Sequence, residues 1–477
     1  MRSGLLTGLA MLVLSLSGAA AGALLAQKFG RNARTDGFLA AYGIYLVLTT
    51  AAQSFRLVVV PELTRAAEQG RLGQELRAYA LAFVALAVPV SVLVAVLARP
   101  VGDALTGSLP PAAAAEASAA VPWVVAAAFA QLLAALAASA LAVLDSYGTA
   151  AAGYAAGGIG ALALFAALAD GHGLIALAWG IALNGAITAA VPLVRLGSLA
   201  ARLGRGIGPL EVPSRLWRLV QGAAVPIVLQ AFYVVALRLV SGLGVGEVTS
   251  FSYAYLLAVM LITATAFSLG LISSAPLTRR GLDAERAAEH VVHSSWVSLA
   301  LVGAAAGVFA LVGGRIVAFV LGEAYAGVGR IVVELAPWMV ATIAFYAVFP
   351  LVFVLGHRRA LVPVALGSLL LDGAVGYGLR EAFGTTGVAV GLALATLAIV
   401  AALLYDISPR TLAVAFAGLA RLAVLVTLSA VVAFGLPSLV LPAPAAAPAG
   451  LLVYVLLLLS LRAFGLREAW AYVRALH

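Results

Sequence analysis

The chain has 477 residues, 64% of them hydrophobic and 10% charged, with a net charge of +9 and no cysteine. A soluble domain is about half apolar and a quarter charged, so this composition belongs in a bilayer. Thiol catalysis, thiolate metal sites and disulfides are excluded. Nucleic acid is not an expected partner, because the positive charge is arginine scattered over loops, with Lys28 the only lysine.

Apolar runs of spanning length, about twenty residues each, follow one another from the start. The first, near 4–26, has small residues like a signal-peptide cleavage site, but its length and the many later spans predict a retained helix. A polar knot, FGRNARTDGFLAAYG at 29–43, leads into the second run at 37–60. Runs near 78–98, 119–144, 148–169 and 173–194 complete a first set of six. A basic segment, 196–215, precedes six more near 217–241, 249–275, 291–320, 331–355, 360–379 and 385–405. Two last runs, 411–435 and 449–465, flank an uncharged Pro/Ala-rich connection. Alternation of period two is missing and an open sheet cannot satisfy its backbone in lipid, so the expectation is an all-α polytopic membrane protein of about 14 transmembrane helices.

Arginine placement orients these spans. With the N-terminus inside, the inner segments hold 18 basic residues and the outer segments 7. Both termini are therefore expected in the cytoplasm and the knot outside.

The knot occurs twice. LGVGEVTSFSYAY matches it at an offset of 214, pairing Gly30 with Gly244 and Thr35 with Thr249. Thr49 then meets Thr263, Ser54 meets Ser268, Leu63-Thr64-Arg65 meets Leu277-Thr278-Arg279, and Gly173 meets Gly387 at the same spacing. Pro122-Trp123 meets Pro337-Trp338 one residue further on. The copies begin six helices apart, so they enter the membrane in the same sense. A parallel pseudo-two-fold repeat of this kind places a transporter's substrate path between two bundles. The expected division is an N-terminal lobe 1–195, a cytoplasmic linker 196–215, a C-terminal lobe 216–406, and an extra helix pair with a cytoplasmic tail, 407–477.

FGRNARTDGFLAAYG resembles the opening signature of the lipid II flippase family, within the multidrug/oligosaccharidyl-lipid/polysaccharide exporter superfamily. VPEL at 60–63 is similar to the end of that signature's helix, GEVTSFSYAY to the start of the family's eighth helix, and LDSYGTAAAGYA at 144–155 to a further family stretch. The resemblance implies six plus six plus two helices with both ends inside. It also implies a lipid-linked saccharide as cargo, and coupling to sodium near a polar residue on the eleventh helix. The family's arginines in the first helix and in the middle of the second are missing here, where Thr49 and Thr50 occupy the second-helix place.

An arginine at mid-bilayer costs roughly 2.5–3.5 kcal/mol, so each needs a reason. Arg56 in the second span and Arg238 in the seventh each lie in one copy of the repeat only. Their forked guanidinium groups suit the phosphates of an anionic head group. The competing reading has Arg56 snorkelling or pairing with Glu62, and Arg238 reaching the outer head groups. Asp36 and Gln230 complete the candidate cargo ligands. Asp372 in the eleventh span, with Thr396 on the next, is the candidate ion-coupling pair; the alternative is a structural pairing with an arginine. His290 and His293 fit the head-group level better than a metal, and no Walker sequence or other cofactor motif appears.

The expected function is a flippase of the bacterial inner membrane. It would move a polyprenyl-diphosphate-linked saccharide outward by alternating access, as a monomer among membrane lipids, with Na+ or H+ and the membrane potential as energy sources. A drug or cation antiporter of the same superfamily is the alternative. A membrane glycosyltransferase or ligase is a third reading, disfavoured because the loop at 99–118 gathers only Asp103 and Glu116.

Overall fold

Five of the described helices stop where a glycine takes a positive φ, and two, beginning at Ala33 and Pro409, start under a side-chain cap from Asn32 and Ser408. Gly30 (φ 68), Gly107 (φ 61) and Gly173 (φ 69) close three helices in the first half, and Gly322 (φ 104) and Gly384 (φ 58) close two in the second. The computed structural model describes residues 2–144, 146–199, 203, 210–262, 284–354 and 361–460. The side chains of 2–9, 11–12, 50–58, 61, 147, 221–223, 284–286 and 353–354 lie outside that description. Among the described residues all regular structure is helical.

The order is α1 (Arg2–Phe29), α2 (Ala33–Glu68), α3 (Leu72–Val96), α4 (Ala98–Thr106), α5 (Pro111–Val143), α6 (Tyr147–His172), α7 (Ile175–Ser198) and α8 (Val212–Val240). It continues with α9 (Glu247–Ile262), α10 (Ala284–Leu321), a 3-10 turn (Glu323–Tyr325), α11 (Val328–Glu334) and α12 (Ala336–Val354). The last four are α13 (Leu361–Phe383), α14 (Thr385–Ile407), α15 (Pro409–Ser438) and α16 (Ala443–Ser460). Nine of the described helices are long and apolar enough to cross a membrane, or eleven if each of two bent pairs is one span. The expected fourteen include runs at 249–275 and 449–465 that extend outside the described residues.

The order of elements repeats. α9 starts 214 residues after α2, and α13 starts 214 after α6. The copies differ in where they break. Residues 72–106 form two helices, α3 and α4, whereas their counterpart α10 is continuous. The unbroken α5 corresponds to α11 and α12, which meet at a 51° bend. Of the sequence matches, Thr263, Ser268 and Leu277-Thr278-Arg279 lie outside the described residues. Gly173 finds its conformational partner in Gly384, three residues before the Gly387 that sequence alignment selects.

Two compact units divide the chain within α9, Met1–Thr249 and Ser250–His477. In the first, α2 packs on α5, α5 on α7, α7 on α6, and α6 on α1, while α8 lies along α2 and α3. Lipid-like side chains supply no hydrophobic drive between helices in a bilayer, so close approach of small residues does the packing. A Cβ on Gly37 would collide with the carbonyl group of Ala113, and one on Gly185 would meet the Ala127 oxygen at 2.8 Å. In the second unit α13 packs on α14, and α10 packs on α12, α15 and α16. Gly303 leaves room for Tyr454, and Gly307 and Gly450 for Phe434. The Tyr454 hydroxyl donates to the Ala300 carbonyl at 2.9 Å.

Gly37→Val is expected to destabilise the protein by about 1–3 kcal/mol through overpacking against α5. Gly435→Ala, where an added Cβ meets nothing within 4 Å, is expected to leave stability unchanged. Thermal unfolding in detergent compares them.

Candidate functional site

The polar knot is a cap that both ends one helix and begins another. Asn32 has an extended backbone, and its side-chain oxygen accepts from Arg34 N at 2.9 Å and Thr35 N at 3.2 Å. Its amide donates back to the Phe29 carbonyl at 2.6 Å. This geometry sets Asp36 in the first turn of α2, fully buried. Asp36 then reaches the second copy of the knot. One carboxylate oxygen accepts from Gly246 N at 2.5 Å; the other accepts from Thr249 N at 2.8 Å and Thr249 Oγ1 at 2.5 Å. An anion thus sits on the positive end of α9. Arg31 adds a hydrogen bond from Nε to the Gly246 carbonyl at 3.2 Å and an ion pair from Nη2 to Glu247 at 3.1 Å. The first turn thus clasps its second copy.

A second clasp lies at the opposite end of α2. Glu62 is 26 residues beyond Asp36, about 39 Å along the helix. One of its oxygens accepts from Arg218 of α8, the other from the Tyr79 hydroxyl of α3. Beside them Arg215 grips Glu75 through two parallel bonds, Nε to Oε1 at 2.5 Å and Nη2 to Oε2 at 3.1 Å. Glu211 pairs with the same arginine at 3.4 Å. This network stands on an apolar cluster that includes Val59, Leu63, Tyr79, Leu136 and Leu219. Paired guanidinium and carboxylate groups of this kind hold both charge and geometry.

Between the clasps α2 changes character. Residues 35–41 are all buried, whereas 44–49 are partly exposed all around the helix. Phe38, Tyr42 and Tyr45 form a stacked ladder with centroid spacings of 6.5 and 5.4 Å. Gln131 of α5 hydrogen bonds to Tyr45. α8 passes close by at Gly43, where a Cβ would lie 3.2 Å from Val234.

The expected site residues fall differently. Arg56 is on α2, but its side chain lies outside the described residues. Arg238, in the last turn of α8, is exposed; its guanidinium covers Gly107 in the turn after α4, with Nη1 3.4 Å from Ser241 Oγ. Gln230 is half-buried in α8. Asp36, expected as a cargo ligand, has both its oxygens engaged by the start of α9. Glu62, the sequence candidate for pairing with Arg56, is bonded to Arg218 and Tyr79. Asp372 is buried in α13, and its Oδ2 has no hydrogen-bond partner among the described residues. Thr396 is buried in α14, its hydroxyl donating to the Leu392 carbonyl at 2.8 Å. Among the described residues no hydrogen bond joins the two.

The sequence reading missed the Glu75–Arg215 pair and the tyrosine ladder. Arg215 and Arg218, one helical turn apart at the start of a span, were the available signal, but they had been counted as loop charges.

The second unit holds a cavity of about 710 Å³ between α10, α12 and α15. Leu299, Val302, Ala306, Val340, Val426 and Thr427 are among its walls, and no charged side chain lines it.

No protein-family model matches the chain, and none of the curated proteins does. Among solved structures, the lipid II flippase MurJ in an inward closed conformation is similar over 95% of this chain and 97% of that one, with a TM-score of 0.75 at 14% identity. The fold is that of MurJ and the MATE transporters. An inward-facing multidrug resistance MATE family transporter matches over 86% of this chain and 95% of its own, with a TM-score of 0.66 at 12% identity. A MOP superfamily transporter from Pyrococcus furiosus matches over 89% and 95%, with a TM-score of 0.63 at 13% identity. In this MurJ-like fold, α2 is held at one end by the start of α9 and at the other by α8.

Replacing Glu75 and Arg215 singly and together by glutamine is expected to give a coupling energy of about 1–3 kcal/mol. A double-mutant cycle on thermal unfolding measures it.

Proposed function

We propose that this chain is a transporter that carries a polyprenyl-diphosphate-linked saccharide across the bacterial inner membrane by alternating access. The observation that carries this reading is the pair of polar clasps on α2, one to the start of α9 and one to α8, with a partly exposed stretch between them. Such a pair suits a carrier in its closed state, where each clasp is a gate that opens in turn. The MurJ-like fold supports transport over the glycosyltransferase or ligase reading. With both termini in the cytoplasm, as the arginine bias indicates, the Asp36 clasp is the outer gate and the Glu62–Arg218 clasp the inner one.

Arg56 and Arg238 supply the positive charge for the diphosphate, and Gln230 a neutral hydrogen-bonding group for the sugar. The uncharged cavity of the second unit accommodates part of the prenyl chain. Two negative charges moving outward through an inside-negative potential gain roughly 4–5 kcal/mol per 100 mV. Asp372 and Thr396 take up the Na+ or H+ that resets the empty carrier. The protein works as a monomer among membrane lipids.

The second reading, export of a drug or organic cation, rests on the Phe38–Tyr42–Tyr45 ladder, whose ring faces suit a flat cation. Expression in cells depleted of their lipid II flippase separates the two. Recovery of outer-face lipid II supports the first reading. Dye efflux with proton antiport, and no such recovery, supports the second.

Because the chain has no cysteine, the outer gate can be closed chemically. Arg31→Cys with Glu247→Cys, joined by a short bifunctional thiol reagent with a reducible link, is expected to stop flipping in vesicles, and reduction to restore it. Either single variant is expected to keep at least roughly a fifth of the wild-type rate, since one part-exposed ion pair contributes about 1 kcal/mol or less. Asp372→Asn is expected to abolish the dependence of turnover on Na+ or pH. Thr396→Val is expected to weaken ion affinity about tenfold, the loss of one oxygen ligand. Flux measured across an ion titration reads both.

A further inference from the structure

A second groove lies between α10 and α16, about 370 Å³ in volume and lined by Val308, Val312, Arg315, Ala447, Pro448 and Leu451. Five of these six side chains are apolar, and Arg315 is the exception. It is exposed, and among the described residues nothing pairs with its guanidinium.

The neighbourhood of Arg315 faces lipid. Ile316 and Val320 beside it are exposed, and Phe319 is 91% exposed. The turn joining α15 to α16 carries no charge and presents Leu439 at 81% and Val440 at 83% exposure. Apolar surface this open belongs in hydrocarbon or at its edge. Arg315 stands six residues before the end of α10, about 9 Å along the axis. A cation at that depth needs a counter-ion. None is offered among the described residues, which leaves the surrounding lipid to supply it.

We propose that this groove is a binding site for one resident anionic phospholipid, its phosphate on Arg315 and an acyl chain laid between α10 and α16. Guanidinium suits the phosphate oxygens through its planar fork and keeps its charge at any physiological pH. The charged end and the apolar slot occur together, and a phospholipid is the abundant molecule with both. Pro444, in the first turn of α16, borders the same groove, so the positive end of that helix adds to the field of Arg315 without being needed for the site. The bound lipid would brace the last helix pair against α10, beside the contacts of Tyr454 and Phe434 with Gly303 and Gly307. The inference does not depend on the cargo proposed above.

The test uses the full chain in nanodiscs of equal parts phosphatidylglycerol and phosphatidylcholine, extracted into mild detergent for native mass spectrometry. Wild type is expected to retain one phosphatidylglycerol in preference to phosphatidylcholine. Arg315→Gln is expected to reduce that preference roughly fivefold, the effect of one basic residue at a membrane surface, and Arg315→Lys to retain part of it. Ala447→Phe fills the slot while keeping the charge, and is expected to lose the retained lipid. Equal retention by wild type and Arg315→Gln overturns the proposal, and identifies Arg315 as a side chain that snorkels to water. Displacement of the phosphatidylglycerol by undecaprenyl phosphate, one for one and dependent on Arg315, also overturns it, since the groove then belongs to the cargo.

Discussion

A buried carboxylate in a membrane protein must find its donors inside the fold, and Asp36 finds them at the start of another helix. Its two oxygens are engaged by Gly246 and Thr249, which sets the carboxylate at the positive end of α9. The register of α2 against the α8–α9 turn follows from this contact. The approach is allowed at Gly246, which has a φ of 87° and no side chain. A side chain at 246 would meet Arg31, at 3.0 Å from its Nε.

The same constraint governs the other end of α2, with a different solution. There charge meets charge, Arg218 on Glu62 and Arg215 on Glu75, with Tyr79 completing the shell of Glu62. One clasp is a carboxylate on backbone dipoles, the other a set of ion pairs near the surface. Screening by salt weakens the second far more than the first, because its charges are part-exposed and the buried carboxylate is not.

Much of this architecture was legible in the sequence. Hydropathy located the helices, because in lipid a backbone has few other options. Glycine and asparagine in the knot marked the turn, and its second copy marked the repeat. Partners were harder to see. Asp36 reads as a free acid near a span end, because nothing local shows that a turn 210 residues away supplies its donors. Arg215 and Arg218 read as topology signals, which is the usual task of basic residues at span ends, until α8 lies on α2 and α3. Arg238 was legible as a cation near an end of its span, but not that its guanidinium would cover Gly107. The Phe38–Tyr42–Tyr45 ladder has the spacing of any apolar helix face, so only the partial exposure of Tyr42 and Tyr45 distinguishes it from core.

Mechanical character also differs between the halves. In the first, α5 is a single rod of 33 residues packed along α2 and α7. Its counterpart is jointed, with a short α11 turning through 51° into α12, and Trp338 just past the joint stacked on Tyr255 at 4.7 Å. A rod passes on a push at one end almost undiminished, whereas an elbow absorbs part of it by folding. In the trailing half a displacement along the axis meets this bend, beside which Trp338 is held against Tyr255.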